Sequence, residues 1–458
     1  MGSGGGAPTP YIPNTDADRR AMLATIGVGS MEELFASLPA RFRDPAIQLP
    51  PALAEADLVR EFESRAAANS AGWDTPSFLG AGAYRRSVPA VVAHLTSRSE
   101  FVTAYTPYQP EISQGTLQAA FEYQSVVCEL TGMDVSNTGL YDVGSATAEA
   151  CLLASRVKQR KAVAILEPVH PGTVDVVRTY CFGADIQVEA ITAAEQITER
   201  HACVVAQQPD FLGTIRDVQA VSDAAHAAGA LCVVVADPFA LGLLQAPGNA
   251  GADIVAGEGR DLAGPVSFGG PSLGIFAAKQ EFLRQMPGRI VGRTSELHGP
   301  RLPDGSEAAP RTGYVLTLQA REQFIRRERA TSNFSTGQSL VALAFTIAVQ
   351  ALGPRGLRAS AELCYQKAHD AAARVAAVPG FAVVDRGPWF QEFLVRGPRP
   401  APDVARQLET RGIVAGLDVS GRPEAEARDA LLFCVTEATP AAHVDRLVAA
   451  LAELGDGR

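Results

Sequence analysis

Lysine is scarce in this chain. Only Lys158, Lys161, Lys279 and Lys367 occur among 458 residues, although lysine and arginine together number 40. A guanidinium stays protonated and has no free amine to condense onto an aldehyde, so chemistry that needs an amine has four positions to draw on. Lys158 and Lys161 close a helix ahead of a strand and read as solvated, Lys279 follows a strand at a helix start, and Lys367 sits in an amphipathic helix. Excess positive charge is missing too. A net charge of −10 and a pI near 5.3 point away from nucleic acid, which selects basic surfaces. The seven cysteines (Cys128, Cys151, Cys181, Cys203, Cys232, Cys364, Cys434) contain no Cys-x-x-Cys pair. Scattered, odd in number and often inside apolar runs, they read as core residues of a reducing cytoplasm, with no metal site. No apolar run reaches the ~20 residues of a membrane span; the longest, 340–352, carries Thr346 and Gln350 and reads as a buried helix. Residues 1–10 lack both a basic n-region and an apolar core, which makes them a disordered leader, not a signal peptide. A Walker-type loop is also absent.

What is there is an α/β pattern long enough for two or three cores. Residues 14–70 read as broken helices: Asn14-Thr15-Asp16 caps one and Ser30-Met31-Glu32-Glu33 opens another. From 78 to 288, short β-branched runs at 162–166, 186–190, 202–206, 231–236, 253–255 and 273–277 alternate with helical segments, the signature of a doubly wound parallel sheet. Residues 293–312 read as an exposed loop and 316–350 as a long Arg-rich helical stretch broken near 331–333. Strands near 381–385, 392–396 and 431–435, and a last helix over 440–454, complete a smaller α+β part. The expected layout is a leader at 1–10, an N-terminal helical segment at 11–77, a large domain at 78–315 and a smaller C-terminal domain at 316–458.

Four features in order suggest a pyridoxal-phosphate site. Asp142-Val143-Gly144-Ser145-Ala146-Thr147-Ala148-Glu149 runs into a helix whose open N–H groups suit a phosphate. His170, 25 residues past Ser145, stands about where the aspartate-aminotransferase fold stacks a ring on the cofactor. Asp237 ends the strand 231–236, where a carboxylate would hold the ring nitrogen. In Gly257-Glu258-Gly259-Arg260, 23 residues past Asp237, an arginine stands where the Schiff-base lysine belongs. Gly80-Ala81-Gly82-Ala83 lacks the third glycine and the downstream acid of a dinucleotide fingerprint and reads as a flexible turn. The segment 101–115 is stiffened by Pro107 and Pro110. It is either a packed turn opening a helix over 116–130 with Ser113 as N-cap, or a polar rim that orients a small zwitterion.

The run Tyr105-Thr-Pro-Tyr-Gln-Pro-Glu-Ile-Ser-Gln-Gly115 resembles the glycine decarboxylase P-protein family of the glycine cleavage system. So do Phe78-Leu-Gly-Ala-Gly-Ala-Tyr84, Cys128-Glu-Leu-Thr-Gly-Met-Asp134, Ser267-Phe-Gly-Gly-Pro271, Met286-Pro-Gly-Arg-Ile-Val-Gly292, the stretch 316–333 and Cys434-Val-Thr-Glu437. The resemblance implies a PLP-dependent transferase large domain of fold type I, aspartate aminotransferase-like. The family comes as one long chain or as two homologous subunits in an α2β2 heterotetramer. This chain is similar to subunit 1, the N-terminal half, so the lysine and the pyridoxal 5'-phosphate would belong to a partner subunit 2. The implied reaction decarboxylates glycine and passes the aminomethyl group to the lipoyl arm of H-protein, with T-protein and L-protein in the same system. Tyr105, Tyr108, Gln109, Glu111 and Gln114 become candidates for a wall of the partner's site. Gly144, Ser145, His170 and Asp237 become a relict cup, able to take an anion but not productive cofactor. The chain departs from the family at Arg85-Arg86, where Asp-His is frequent, at Val143 for glycine, at Arg260 for glutamine, and at Phe324 and Phe334. Two alternatives are a non-catalytic structural or regulatory pseudoenzyme and a self-sufficient PLP enzyme using another lysine such as Lys279.

Overall fold

The computed structural model describes residues 13–43, 48–69, 74–319, 326–327, 330–332, 334–422 and 429–455. The expected leader at 1–10 lies outside the described residues. The chain divides between Ala71 and Gly72 into two units. In the first, Thr15 caps the helix Asp16–Ile26 through a reciprocal bond with Asp18, and Gly27, at φ 87°, ends it. A 3-10 turn, Glu32–Phe35, follows where a second helix was expected, and then the helix Glu55–Ala67. Neither helix buries a side chain, and Phe35, Phe42 and Phe62 are exposed.

The second unit is built on a seven-stranded sheet of β1 (Val135–Ser136), β2 (Ala162–Leu166), β3 (Gln187–Ile191), β4 (His201–Gln208), β5 (Leu231–Ala236), β6 (Ile254–Glu258) and β7 (Gly274–Ala278). Their order is β1-β7-β6-β5-β4-β2-β3. The expected parallel core is present from β3 to β6, while β7 and β1 close one edge antiparallel. All six residues of β5 are buried, because helices cover both faces. Cys232, Val234 and Ala236 join one core cluster; Leu231, Val233 and Val235 join the other, as a period of two requires. Each fully buried valine contributes about 1.5–3 kcal/mol.

Two expectations need correction. The expected loop at 293–312 is irregular only over 296–311, and the expected helical stretch from 316 begins as strand: β8 (Arg289–Ser295) and β9 (Thr312–Gln319) form an antiparallel hairpin. Tyr314, Val315, Leu316 and Thr317 are apolar, aromatic or β-branched on both faces of a ribbon. The arginine-rich run behind them obscured that pattern. The expected boundary at 315/316 falls inside β9. Parts of the expected helical stretch (320–325, 328–329 and 333) lie outside the described residues, and the helix begins at Ser339. That helix, Ser339–Ala376, is long and apolar enough to cross a membrane. It bends at Gly353-Pro354, however, and sends Phe345, Val349, Leu357 and Cys364 into the core beside the sheet. It leads into an antiparallel sheet of β10 (Ala382–Val383), β11 (Glu392–Arg396), β12 (Leu417–Asp418) and β13 (Ala430–Cys434), in the order β10-β11-β13-β12.

Candidate functional site

A cavity of about 410 Å³ opens where β4, β5 and β6 end and the helix Val143–Lys158 begins. This is the crevice at carboxyl strand ends where open α/β sheets bind ligands. It gathers Gly144, His170, Asp237 and Arg260, widely separated in sequence, into one place. Six carboxylates line it: Asp142, Asp210, Asp237, Glu258, Asp261 and Glu392.

Most of the expected cofactor contacts already have an occupant within the chain. At the helix start, Asp142 Oδ1 accepts from Ser145 N–H at 2.8 Å and Glu258 Oε2 accepts from Val143 N–H at 3.4 Å. These are groups that a phosphate would use, and two carboxylates stand against them. Glu258 Oε1 also accepts from the Arg260 and Leu273 N–H groups, at 3.0 and 2.7 Å. Burial pushes its carboxyl up to about 7, against the pull of those donors and of the Arg260 charge. Asp237 Oδ2 receives Arg86 at 3.4 Å and Gln391 at 3.3 Å, and its Oδ1 accepts from Phe239 N–H at 2.9 Å. The carboxylate that would hold a ring nitrogen is thus spoken for. Arg260 donates to Gly82 O at 2.8 Å and Gly269 O at 3.2 Å and pairs with Asp261 at 3.2 Å. Burial raises the Asp261 carboxyl to about 6, with Arg260 and Arg86 opposing.

His170 caps the helix Pro171–Gly183. Its Nδ1 accepts from Gly172 N–H at 3.1 Å, which leaves Nε2 to donate to Ala81 O at 3.1 Å. Burial lowers its pKa, so the ring holds one proton. The turn expected to be flexible is a fixed wall of the cavity. Ala81 N–H donates to Glu392 Oε1 at 2.6 Å, and Gly82 takes φ 95° against the His170 ring. A Cβ at Gly80 would lie 2.5 Å from Cys434 Cβ. Close approach, not looseness, explains these glycines. The residues present do not fit pyridoxal phosphate: aldehyde, phosphate and ring-nitrogen partners are all missing or engaged. None of the four lysines lines the cavity, and Lys279 Nζ is held by Asp253 at 2.6 Å. Among the described residues no group of acids, histidines and cysteines could hold a metal.

The segment 105–115 is displayed outward, away from this cavity. Tyr105, Tyr108, Gln109 and Glu111 are exposed, as is Ile112. Gln114 acts as a brace: its amide donates to Pro110 O at 2.7 Å and Tyr314 O at 2.9 Å, and accepts from Tyr314 N–H at 2.8 Å. The helix behind it runs Gln114–Thr131, with Ser113 at the N-cap position as expected, although its side chain makes no capping bond.

Sequence reasoning missed the groups that fill the cup. Arg86, noted only as a departure, is buried between Asp237, Glu437 (3.1 Å) and Gln391 (2.8 Å), with its guanidinium 3.6 Å from the Phe239 ring centre. Burial works against its charge, but the surrounding acids, Asp237 foremost, hold its pKa above the usual arginine value. Glu392 accepts from Tyr84 O–H at 2.8 Å, and burial raises its carboxyl to about 7. Acids at the ends of buried apolar strands were the available signal.

The glycine cleavage system P-protein family matches residues 9–451. A probable glycine dehydrogenase (decarboxylating) subunit 1 of Thermomicrobium roseum is 46% identical over 97% of this chain and 99% of its own length. The protein of the same description in Moorella thermoacetica is 45% identical over 96% and 98%. A crystal structure of a glycine decarboxylase (P-protein) of the glycine cleavage system, in inhibitor-bound form, is similar at TM-score 0.86 and 40% identity, covering 97% of this chain and 100% of that one. A sphingosine-1-phosphate lyase from Burkholderia pseudomallei, at 15% identity and TM-score 0.60, shares the fold, that of PLP-dependent fold type I enzymes. The chain belongs to the glycine cleavage system P-protein family.

Proposed function

We propose that this chain is subunit 1 of a two-subunit glycine dehydrogenase (decarboxylating), working with a lysine-bearing subunit 2 in an α2β2 heterotetramer. The partner holds pyridoxal phosphate, which supplies the electron sink for glycine decarboxylation. The aminomethyl group passes to lipoylated H-protein, with T-protein and L-protein completing the system in the cytoplasm. This chain's part is to shape the partner's site: Tyr105, Tyr108, Gln109 and Glu111 form a polar wall that orients glycine and excludes water, and Gln114 braces it. The carrying observation is the contrast between a cup closed by its own Asp142, Glu258 and Arg86 and an exposed loop anchored through Gln114.

Coexpression with a lysine-bearing partner tests this by glycine–bicarbonate exchange. Tyr108→Ala and Glu111→Ala are expected to lower turnover by roughly tenfold to a hundredfold in an intact complex, as misplacing a bound substrate does. Unchanged turnover and glycine affinity in that complex would leave the chain a structural subunit. A stoichiometric borohydride-fixed PLP adduct on Lys279 that abolishes activity would instead make it self-sufficient.

A further inference from the structure

Three of the six carboxylates lining the first cavity have a cation of their own: Asp237 has Arg86, Asp210 has Arg216 and Asp261 has Arg260. Asp142, Glu258 and Glu392 make no ion pair among the described residues. Two of these unpaired acids meet at one end of the cavity. Asp142 caps the helix Val143–Lys158, and Glu258 reaches the N–H of Val143 in the same helix. The helix Pro171–Gly183 comes to that end as well, since a Cβ at Gly144 would lie 3.1 Å from both Asp142 Oδ1 and Val176 Cβ. One turn before Val176, on the face that lines the cavity, stands Thr173. It is 3% exposed, and its hydroxyl makes no hydrogen bond among the described residues. Packing does not seal that oxygen, as it seals the unpaired Tyr123 hydroxyl, so the access it keeps is to the cavity it lines. A buried polar group without a partner is unfavourable until something arrives to pair it. Helix starts favour anions, but each carries only about half a positive charge, against two full carboxylates here. A second cavity, about 330 Å³, supplies the contrast. It lies between the helix Gln114–Thr131 and the start of the helix Ser339–Ala376, Arg289 lines it, and among the described residues no acid does.

We propose that the Asp142–Glu258–Thr173 end of the first cavity binds the ammonium group of a small aliphatic amine. An ammonium is a compact charge with three N–H donors. It would donate to Thr173 Oγ1 and lie between the two acids, with Val143 and Val176 lining the way for its carbon chain. Burial holds the Glu258 carboxyl at about 7, and a cation beside it would let it ionise. Arg260 does not take that place, because its donors go to Gly82 O, Gly269 O and Asp261. The cup keeps the position of the fold's anion seat and reverses its sign. This inference stands on the chain's own geometry and does not rest on the reading of a partner's active site.

The full-length chain is titrated by calorimetry with n-butylammonium chloride, at an ionic strength held constant with sodium chloride. One saturable site per chain is expected, and none for sodium acetate. Thr173→Val should weaken butylammonium binding by roughly tenfold, as loss of a hydrogen bond to a charged group does. Asp142→Asn, which keeps a capping side chain, should weaken it further. Glycine should bind roughly tenfold more weakly than butylammonium or worse, because its carboxylate would join the acids already there. Thr173→Val should keep its thermal stability, which separates lost binding from lost folding even where Asp142→Asn melts early. No saturable binding of butylammonium, equal binding of glycine or acetate, or binding that survives both substitutions overturns the proposal. Failure of the chain to support glycine decarboxylation with a partner would sink the preceding function and leave this titration untouched.

Discussion

The two cavities are of similar size and opposite character. One, about 410 Å³, is lined by six carboxylates and Arg260; the other, about 330 Å³, has an arginine and a helix start with no side-chain cap, and among the described residues no acid lines it. Both place a helix N-terminus at a cavity wall. In the first, the chain has spent that terminus on its own Asp142 and Glu258; in the second it remains available. A fold's ligand position and a chain's ligand capacity are therefore separate properties, decided by which side chains reach the backbone donors first.

The comparison breaks most severely at Arg86. Arg86→Leu should cost about 3–5 kcal/mol of stability in urea unfolding, because buried Glu437 and half-buried Asp237 would be left without their cation. A loss below 1 kcal/mol would mean the cup is held by packing alone. Next comes Glu392, whose carboxyl rises on folding from an ordinary 4.5 to about 7. A raised acid favours the native state at low pH, and that advantage disappears as pH climbs from the unfolded value to the folded one. Over that window the wild type should give up on the order of 3 kcal/mol relative to Glu392→Gln. Thermal melts at pH 5 and pH 8 would show the difference growing in the variant's favour; a flat difference would mean that Glu392 ionises freely. Tyr123→Phe should stabilise the fold by about 1 kcal/mol or somewhat more, because it removes a buried hydroxyl without a partner among the described residues. Denaturant midpoints check it. The smallest effect is expected from Arg260→Lys with added pyridoxal phosphate: no borohydride-reducible adduct at residue 260, read by peptide mapping, since the other contacts stay blocked.

The large sheet was legible because its central strands are buried on both faces and read as unbroken apolar runs; β2 and β5 were placed to the residue. The cup was legible in order and spacing. Its closure was not, because Arg86 reaches Asp237 across 151 positions and Ala81 bonds Glu392 across 311. No local pattern encodes such pairings. The hairpin failed for another reason: Tyr314 to Thr317 lie on a two-stranded ribbon, outside the main sheet, and are only partly buried where described, so polar and apolar faces do not separate cleanly. The empty helix start at Ser339 was hidden because an absent cap leaves no residue to notice.

Gln114 touches both the N–H and the C=O of Tyr314, as a neighbouring strand would. The position of the 105–113 loop is therefore inherited from the pairing of β9 with β8, in which Tyr314 stands opposite Arg293. A one-residue slip in that ribbon would carry Tyr314 to the opposite face and take the loop's anchor with it. Loop and ribbon thus form a single portable module. Transplanted into another scaffold, the eleven-residue stretch 105–115 would keep its sequence and lose its aim unless the hairpin travelled with it.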